Sequence, residues 1–474
     1  MFKTLSLIFI PKFMKRRDFA KNMGLAGGVV GLGLLSSCND TSQKTSEEIE
    51  RESRDGVSPE LSEAMYAKAL DITRAKVRGG ASEPFFKKPF IDAAFSPNIF
   101  LWDTCFMCCF AKYHIDELPV YQALDNFYEQ MEEDGYICRE YRQDGRALWS
   151  KEHPVSINPP LLAFAEWEIF KIAKDSARLK KVYPTLKKNF EFHVNRYMMG
   201  DDLFYGDTLG MGMDNIPRAP RDWEPETGNG LTHHELGERL AAMNESAETK
   251  LQYFIEQYVE TKQGLWNKQA RLVDFSSQMA MFALQLSEIA KITGNDSDIE
   301  AFMDIHERIK TAVNEKCWND QDKFYYDLGY DKQVPRRHIG MYWALLGKIV
   351  PEDRMKHFIE HLRNPDEFYR KTPLPALSAA DPDYVGWGDY WLGGVWAPTV
   401  YMVLKGLTEN GEDDLARDLA SKVYRSVATV FEATGTFWEN YAPDLVSYGM
   451  PAKKDFCGWT ALIPIAVYKE YILA

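Results

Sequence analysis

From Pro59 onward, apolar residues recur at helical spacing. In Pro59–Val77 they fall at Leu61, Met65, Ala69, Ile72 and Ala75, close to the stripe that a 3.6-residue period produces. The same period predicts helices over Leu161–Ala173, Leu179–Met198, Glu235–Val259, Leu272–Ile292 and Ile299–Trp318. It returns in Glu352–Leu362, Trp391–Leu407, Asp413–Phe431 and Gly458–Ile472, and Phe100–Tyr113 is an apolar helical run. Asn158-Pro159-Pro160 opens one helix, while Thr293-Gly294-Asn295-Asp296 closes one and starts the next. Strand-like runs are few and short, such as Lys323–Leu328 and Phe204–Asp207. About a dozen helices joined alternately by tight turns and long loops predict an all-α fold of paired antiparallel helices. No linker-like stretch divides residues 59–474, and no short repeat points to a regular solenoid.

The first 58 residues read differently. Lys15-Arg16-Arg17-Asp18-Phe19 precedes an apolar, glycine-rich run from Met23 to Leu35, too short to span a bilayer as a helix and typical of an export signal. The Arg-Arg-x-Phe pattern is similar to a twin-arginine signal, and Leu35-Ser36-Ser37-Cys38 resembles the lipobox of bacterial lipoproteins. A hydrophobic anchor that is never cleaved is the alternative. The order and spacing of the two patterns favour cleavage before Cys38 and acylation of its thiol. Met14 serves as a start as well as Met1 does. Residues 39–58, with Glu47, Glu48, Glu50, Arg51, Glu52 and Arg54, read as a solvated tether. The expectation is a bacterial periplasmic or cell-surface lipoprotein that meets a membrane only through its lipid.

Composition narrows the class. Of 474 residues, 45% are hydrophobic and 27% charged, a globular mix. The net charge is −14, but six Lys/Arg and one Asp precede Cys38, which leaves 50 basic against 69 acidic residues, or −19. A body so acidic repels phosphate backbones, so nucleic acid is not an expected partner. Aromatics reach 13%, enough for a core and also suited to stacking on sugars. Cys105, Cys108 and Cys109 lie inside the apolar Phe100–Tyr113 run with no second pair or His cluster, so buried thiols are expected rather than a metal or redox site. Adjacent His233-His234-Glu235 lacks the spacing of a zinc helix motif and reads as a helix start. No metal or cofactor is expected.

The long loops hold the unusual chemistry. Leu209–Glu226, Tyr369–Gly394 and Thr434–Lys454 are rich in Trp, Asp, Glu, Arg, Gly and Pro, and loops carrying acids among large aromatics are site candidates. Asp214 lies in Gly210-Met211-Gly212-Met213-Asp214-Asn215-Ile216-Pro217-Arg218, and Glu439 in Gly435-Thr436-Phe437-Trp438-Glu439-Asn440-Tyr441. Cleaving a glycosidic bond needs a protonated acid for the leaving oxygen and a second carboxylate to activate water or attack the anomeric carbon. Apolar surroundings raise a carboxyl's pKa into the useful range. Taken alone, Asp214 reads as a turn or cap residue and Glu439 as a surface acid beside a buried Trp.

Together the motifs reach a family. Phe100-Leu101-Trp102-Asp103-Thr104, Gly212–Arg218, Tyr390-Trp391-Leu392-Gly393-Gly394-Val395-Trp396, Trp438-Glu439-Asn440-Tyr441 and Phe456-Cys457-Gly458-Trp459 occur in one order over nearly the whole body. That series resembles the (α/α)6-barrel glycosidases of glycoside hydrolase families 63 and 37, which include processing α-glucosidases, mannosylglycerate hydrolases and trehalases. The resemblance implies an (α/α)6 barrel, with Asp214 as general acid and Glu439 as general base in inverting hydrolysis of an α-linked gluco- or manno-configured di- or oligosaccharide. It implies carboxyls roughly 6.5–9.5 Å apart, and a sugar pocket lined by Trp102, Asp103, Arg218, Trp391, Trp396 and Trp459. Trehalases carry a denser signature around the acid, and the N-terminal β-domain of many family 63 enzymes is not expected before Pro59. Ala219–Gly230 is then a candidate for shaping the substrate site. The rivals are a glycoside phosphorylase, which would want basic groups where Glu439 stands, and a non-catalytic glycan-binding lipoprotein, which would be expected to lack one acid.

Overall fold

The structure, a computed structural model, describes residues 56–80, 86, 88–93, 98–152, 157–206, 210–218, 239–240, 242–246, 249–250, 253, 270–329, 331–456 and 458–473. The signal, Cys38, most of the tether, Ala219–Gly230, His233-His234-Glu235 and Cys457 lie outside them, as does most of the helix expected over Glu235–Val259.

Twelve helices whose full length is described alternate between an outer and an inner ring. In chain order they are α1 (Pro59–Ala75), α2 (Leu101–Ala111), α3 (Val120–Tyr128), α4 (Leu162–Ala173), α5 (Ser176–Tyr197), α6 (Val273–Thr293), α7 (Ile299–Lys316), α8 (Trp343–Leu346), α9 (Glu352–Glu360), α10 (Ala397–Glu409), α11 (Asp413–Thr434) and α12 (Ile463–Ile472). The even-numbered helices form the inner ring: α2 packs on α4, α4 on α6, α6 on α8, α8 on α10, α10 on α12, and α12 returns to α2. Outside it α3 packs on α2, α5 on α4, α7 on α6, α11 on α10 and α1 on α12, and this closed double ring is an (α/α)6 barrel.

Hydrophobic pattern decides which ring a helix joins. Every residue of α2 is buried, and α10 buries all but three of its thirteen, as expected of helices that are apolar all round. Outer α11 instead buries one stripe, Leu415, Ala416, Leu419, Ala420, Val423, Tyr424 and Val427, and turns its charges outward. Caps set the starts: Ser58 Oγ accepts the Leu61 N–H at 3.2 Å, and Asp175 Oδ1 accepts that of Arg178 at 2.9 Å.

Two sequence expectations need correction. The helix expected over Trp391–Leu407 begins only at Ala397; Tyr390–Leu392 is a 3-10 turn, and Gly393-Gly394 interrupt the apolar run. Val120–Tyr128 and Trp343–Leu346 are helices that the pattern did not reveal, because two and a half turns or fewer give too few periods to recognise.

Candidate functional site

All six inner helices start at the same end of the barrel. Trp102 and Asp103 occupy the first turn of α2, Asp274 the first turn of α6, Trp396 precedes α10, and Trp459 precedes the turn that leads into α12. Each helix start offers unpaired N–H groups and the positive end of its dipole, which favours nearby carboxylates. Three long connections close over this end.

The first, residues 210–218, carries Asp214. Ile216 N–H bonds Met213 O at 3.0 Å, so Asp214 and Asn215 are the central residues of a tight turn. Gly212, at φ +78°, lies so close to Trp102 that a Cβ there would stand 3.3 Å from the indole. A side chain would disfavour both the backbone angle and the approach. On the other flank Asn215 Nδ2 donates to Asp389 O at 3.2 Å, and its Oδ1 accepts the Trp391 N–H at 2.8 Å.

That pair of bonds clamps the second connection, residues 384–396. Asp389 and Tyr390 both sit at positive φ, 39° and 63°, a cost of about 1–2 kcal/mol per residue outside glycine. Gly394 N–H and Trp396 Nε1–H both donate to Tyr390 O, at 3.0 and 3.3 Å. With the Asn215 bonds, each worth about 1 kcal/mol, they offset the strain. The result aims the Tyr390 hydroxyl at Asp214 Oδ2, 3.2 Å away.

The third connection carries Glu439. Val395 and Tyr441 exchange main-chain hydrogen bonds at 2.8 and 3.0 Å, joining it to the second. Glu439 is 5% exposed, its Oε2 accepts the Lys453 N–H at 3.0 Å, and its own main chain bonds Lys453 O and Trp459 Nε1. Among the described residues no group donates to Oε1.

Electrostatically the site is a gathering of acids. Burial raises the Glu439 pKa to about 6; the Lys453 ammonium and N–H pull it down, and Asp214 pushes it up. Asp103 is raised well above the carboxylate range, first by burial, then by Glu140, Asp214 and Glu439. The Tyr390 hydroxyl is held protonated by burial and by Asp214, Glu439 and Asp103. The two expected catalytic carboxyls, from loops far apart in sequence, therefore act on the same neighbours. One carboxyl has a hydroxyl that orients it; the other has one oxygen pinned and one left for a ligand.

The remaining expected site residues divide. Trp391 and Trp396 stack face to face, centroids 4.1 Å apart, with Trp459 edge-on to Trp396 at 5.7 Å. They are buried, and they form the wall behind Tyr390. Trp102 packs edge-on against Phe106 and Trp343. Arg218, which the resemblance placed in the sugar pocket, bonds acids that the sequence did not suggest. Its guanidinium is buried between Asp274 and Asp327. The reading of the sequence missed Tyr390, Asn215, Glu140, Asp274, Asp327 and His338. Tyr390 stands inside a motif and could have been picked, but nothing along the chain pairs Arg218 with Asp327. Cys105, Cys108 and Cys109 are buried free thiols, all with pKa raised first by burial. Among the described residues no group of three or more His, Cys, Asp or Glu could hold a metal, and no helix is long and apolar enough to cross a membrane.

A family model for the mannosylglycerate hydrolase MGH1-like glycoside hydrolase domain matches residues 96–456. The chain belongs to that family. Similar solved structures include the GH63 mannosylglycerate hydrolase from Thermus thermophilus in complex with glucose, with TM-score 0.65 and 16% identity over 85% of this chain and 99% of that one. Neutral trehalase from Saccharomyces cerevisiae matches with TM-score 0.56 and 13% identity over 84% of this chain and 77% of that one. At these identities the likeness speaks for the (α/α)6 barrel alone. Among curated proteins, one from Borreliella burgdorferi described as uncharacterized is 23% identical over 72% of this chain and 62% of its own length. A probable mannosyl-oligosaccharide glucosidase of Schizosaccharomyces pombe is 28% identical over 42% of this chain and 26% of its own length. The chain therefore spans less than two thirds of either relative. The family's glycosidase chemistry agrees with the motifs read from the sequence.

Proposed function

We propose that this protein is an inverting glycoside hydrolase acting on an α-linked, gluco- or manno-configured di- or oligosaccharide, with Asp214 as general acid and Glu439 as general base. The observation that carries the reading is the state of Glu439: nearly buried, with a pKa near 6, one oxygen held by Lys453 N–H and the other without a donor among the described residues. A carboxyl of that pKa is ionised at neutral pH yet basic enough to take a proton from water. Asp214, oriented by Tyr390, supplies the proton for the leaving oxygen. Asp103 adds a carboxyl able to bind sugar hydroxyls, and Trp102 an aromatic wall. An acidic centre of this kind suits hydrolysis better than phosphorolysis, which would bring phosphate against Glu439.

The sugar class follows from names of relatives, a mannosylglycerate hydrolase and a mannosyl-oligosaccharide glucosidase. Export and acylation at Cys38 belong to the same proposal, and a Cys38→Ala variant that still labels with fatty acid would refute that part. The catalytic reading is tested with a panel of α-linked di- and oligosaccharides on wild type, Asp214→Asn and Glu439→Gln. The first-formed anomer is followed by NMR. The expected result is a β-product from an α-substrate, with turnover lost in both folded variants. Binding without turnover in all three proteins would instead identify a glycan-binding protein.

A further inference from the structure

Arg218 stands four residues after Asp214, and its side chain is completely buried. Nη1 lies 3.1 Å from Asp274 Oδ1 and 3.0 Å from Asp327 Oδ2, and Nη2 bonds Asp274 Oδ2. Each acid is itself fixed to the scaffold. Asp274 Oδ1 accepts the Phe275 N–H at 2.8 Å in the first turn of α6. Asp327 Oδ1 accepts the Val273 N–H at 2.7 Å, and its Oδ2 meets His338 Nε2 at 3.2 Å. His338 immediately precedes the Ile339–Tyr342 turn that leads into α8. The acid loop packs on this cluster as well: a Cβ on Gly340 would meet Met213 Cε at 2.7 Å, His338 Nδ1 at 3.0 Å and Asp274 Oδ2 at 3.1 Å. One guanidinium thus ties the loop to the starts of two inner helices and to the segment that carries Asp327.

We infer that Arg218 is a positioning residue for Asp214 and not a sugar ligand. The inference rests on the proposed role of Asp214 as general acid. Between Asp214 and Arg218 the chain has little freedom: Ile216 N–H closes the turn onto Met213 O, and Pro217 fixes its own φ. A fork bonded to two carboxylates sets both distance and direction at Arg218, and lysine, a point charge, would keep the charge without that geometry. Proton delivery falls steeply when the acid is misplaced, about 100-fold for 1 Å.

The test compares two substrates that differ in their need for the acid. One is the α-linked disaccharide that wild type hydrolyses fastest. The other is the α-glycosyl fluoride of the same sugar. With the fluoride, water bonds to the anomeric carbon, its proton passes to Glu439, and the C–F bond breaks with fluoride leaving as the anion. No proton is delivered to the leaving group. Asp214→Asn calibrates the assay by losing the disaccharide and keeping the fluoride. If it loses neither substrate, or both equally, the reading of Asp214 as acid fails irrespective of Arg218.

With that calibration in place, Arg218→Lys is expected to lose about 10- to 100-fold in kcat on the disaccharide while staying within about threefold on the fluoride, with KM little changed for either. Asp327→Asn, which keeps shape and removes one partner, is expected to show the same selectivity with a smaller loss. A KM rise on both substrates at unchanged kcat would mark a sugar ligand and overturn the inference. So would equal kcat losses on the two substrates in both variants, the pattern of general structural damage.

Discussion

Two clusters of buried acids, one at each end of the inner helices, are treated in opposite ways. At the C-terminal end Lys112 Nζ lies 2.6 Å from Glu168 and 2.9 Å from Glu470, and Lys405 lies 3.6 and 3.2 Å from the same two acids. Tyr401 OH adds bonds to both, at 3.1 and 2.9 Å. Burial pushes these carboxyls up, but the lysines hold both below their ordinary range. At the N-terminal end Asp103, Asp214 and Glu439 collect with Lys453 as the ammonium that acts on Glu439, and Asp103 and Glu439 are raised. The helices are the same, and the same residue types are buried at similar depth. Only the supply of cations differs, and with it the work the acids can do. Paired, they hold the ring together; gathered without enough cations, they are poised to move protons at a cost in stability.

The sharpest way to break this contrast is to neutralise one acid at each end. Glu439→Gln should lower kcat by about 10²–10⁴-fold and leave the melting temperature unchanged or higher, since a costly buried carboxyl has gone. Glu168→Gln should do the reverse. Removing one partner of a buried ion pair costs about 3–5 kcal/mol, whereas kcat of the folded fraction should stay within about twofold. Thermal melts and turnover on the same preparations decide it. A Glu168→Gln protein of normal stability and no activity would dissolve the division.

Acidity offers the next test. Glu439 has its folded pKa raised from 4.5 to about 6, so the folded state binds its proton more tightly. Its effect on stability is then unfavourable above that range and sets in as pH rises from about 4.5 to 6. At about 1.4 kcal/mol per unit this amounts to about 2 kcal/mol, removed in Glu439→Gln. Glu168 and Glu470 have lowered folded pKa values, so their contribution is present above the unfolded value, near 4.3, and is lost as pH falls below it. In activity, kcat/KM should rise with pH through about 6 as Glu439 ionises. Urea midpoints and kcat/KM measured from pH 3.5 to 8 would show the two ends responding in separate windows. A kcat/KM that is flat between pH 5 and 7 would contradict the assignment of Glu439.

A smaller effect is expected at the clamp between the first two loops. Asn215→Ala removes the bonds to Asp389 O and Trp391 N, about 2 kcal/mol in all, from a turn with two residues at positive φ. Tyr390 should then lose its hold on Asp214, and kcat should fall by about 10-fold or more with KM nearly constant. A KM change alone would mean that the clamp serves binding and not the acid.

How much of this was legible follows from how local each signal is. Long helices such as α5, α7 and α11 announce themselves through several turns of one stripe, and the alternation of short and long connections gave the paired architecture. Asp214 stands out as an acid flanked by glycines and Glu439 as an acid between aromatics, but their roles came only from the series of motifs that resembles the glycosidase families. The resemblance placed Arg218 in the sugar pocket, yet its partners Asp274 and Asp327 come from distant elements with no motif of their own. The Trp391–Leu407 stretch reads as helix because it is apolar. Two glycines break it, and the left-handed pair Asp389-Tyr390 is held by bonds that join Asp389 O and Trp391 N to Asn215, which no window around Trp391 contains.

The finest test of the contrast uses two glycines with the same backbone. Gly212 has φ +78° beside Trp102, and Gly411 has φ +79° just beyond the C-terminal end of α10, with nothing within 4 Å of where a methyl would sit. Alanine at either site meets the same left-handed strain, about 1–2 kcal/mol, so both variants should lose stability to a similar, small extent. Only at Gly212 does the new methyl meet a neighbour, 3.3 Å from the Trp102 ring. That ring is backed by Phe106 and Trp343, with centroids 4.9 and 6.5 Å away, so the loop must give way in its place and carry Asp214 with it. Gly212→Ala should therefore reduce kcat by a few-fold to about 10-fold, while Gly411→Ala keeps wild-type turnover. Equal activity in the two variants would show that the acid loop tolerates displacement. Unequal activity at matched stability would show that the N-terminal end is held to a tolerance that the C-terminal end does not need.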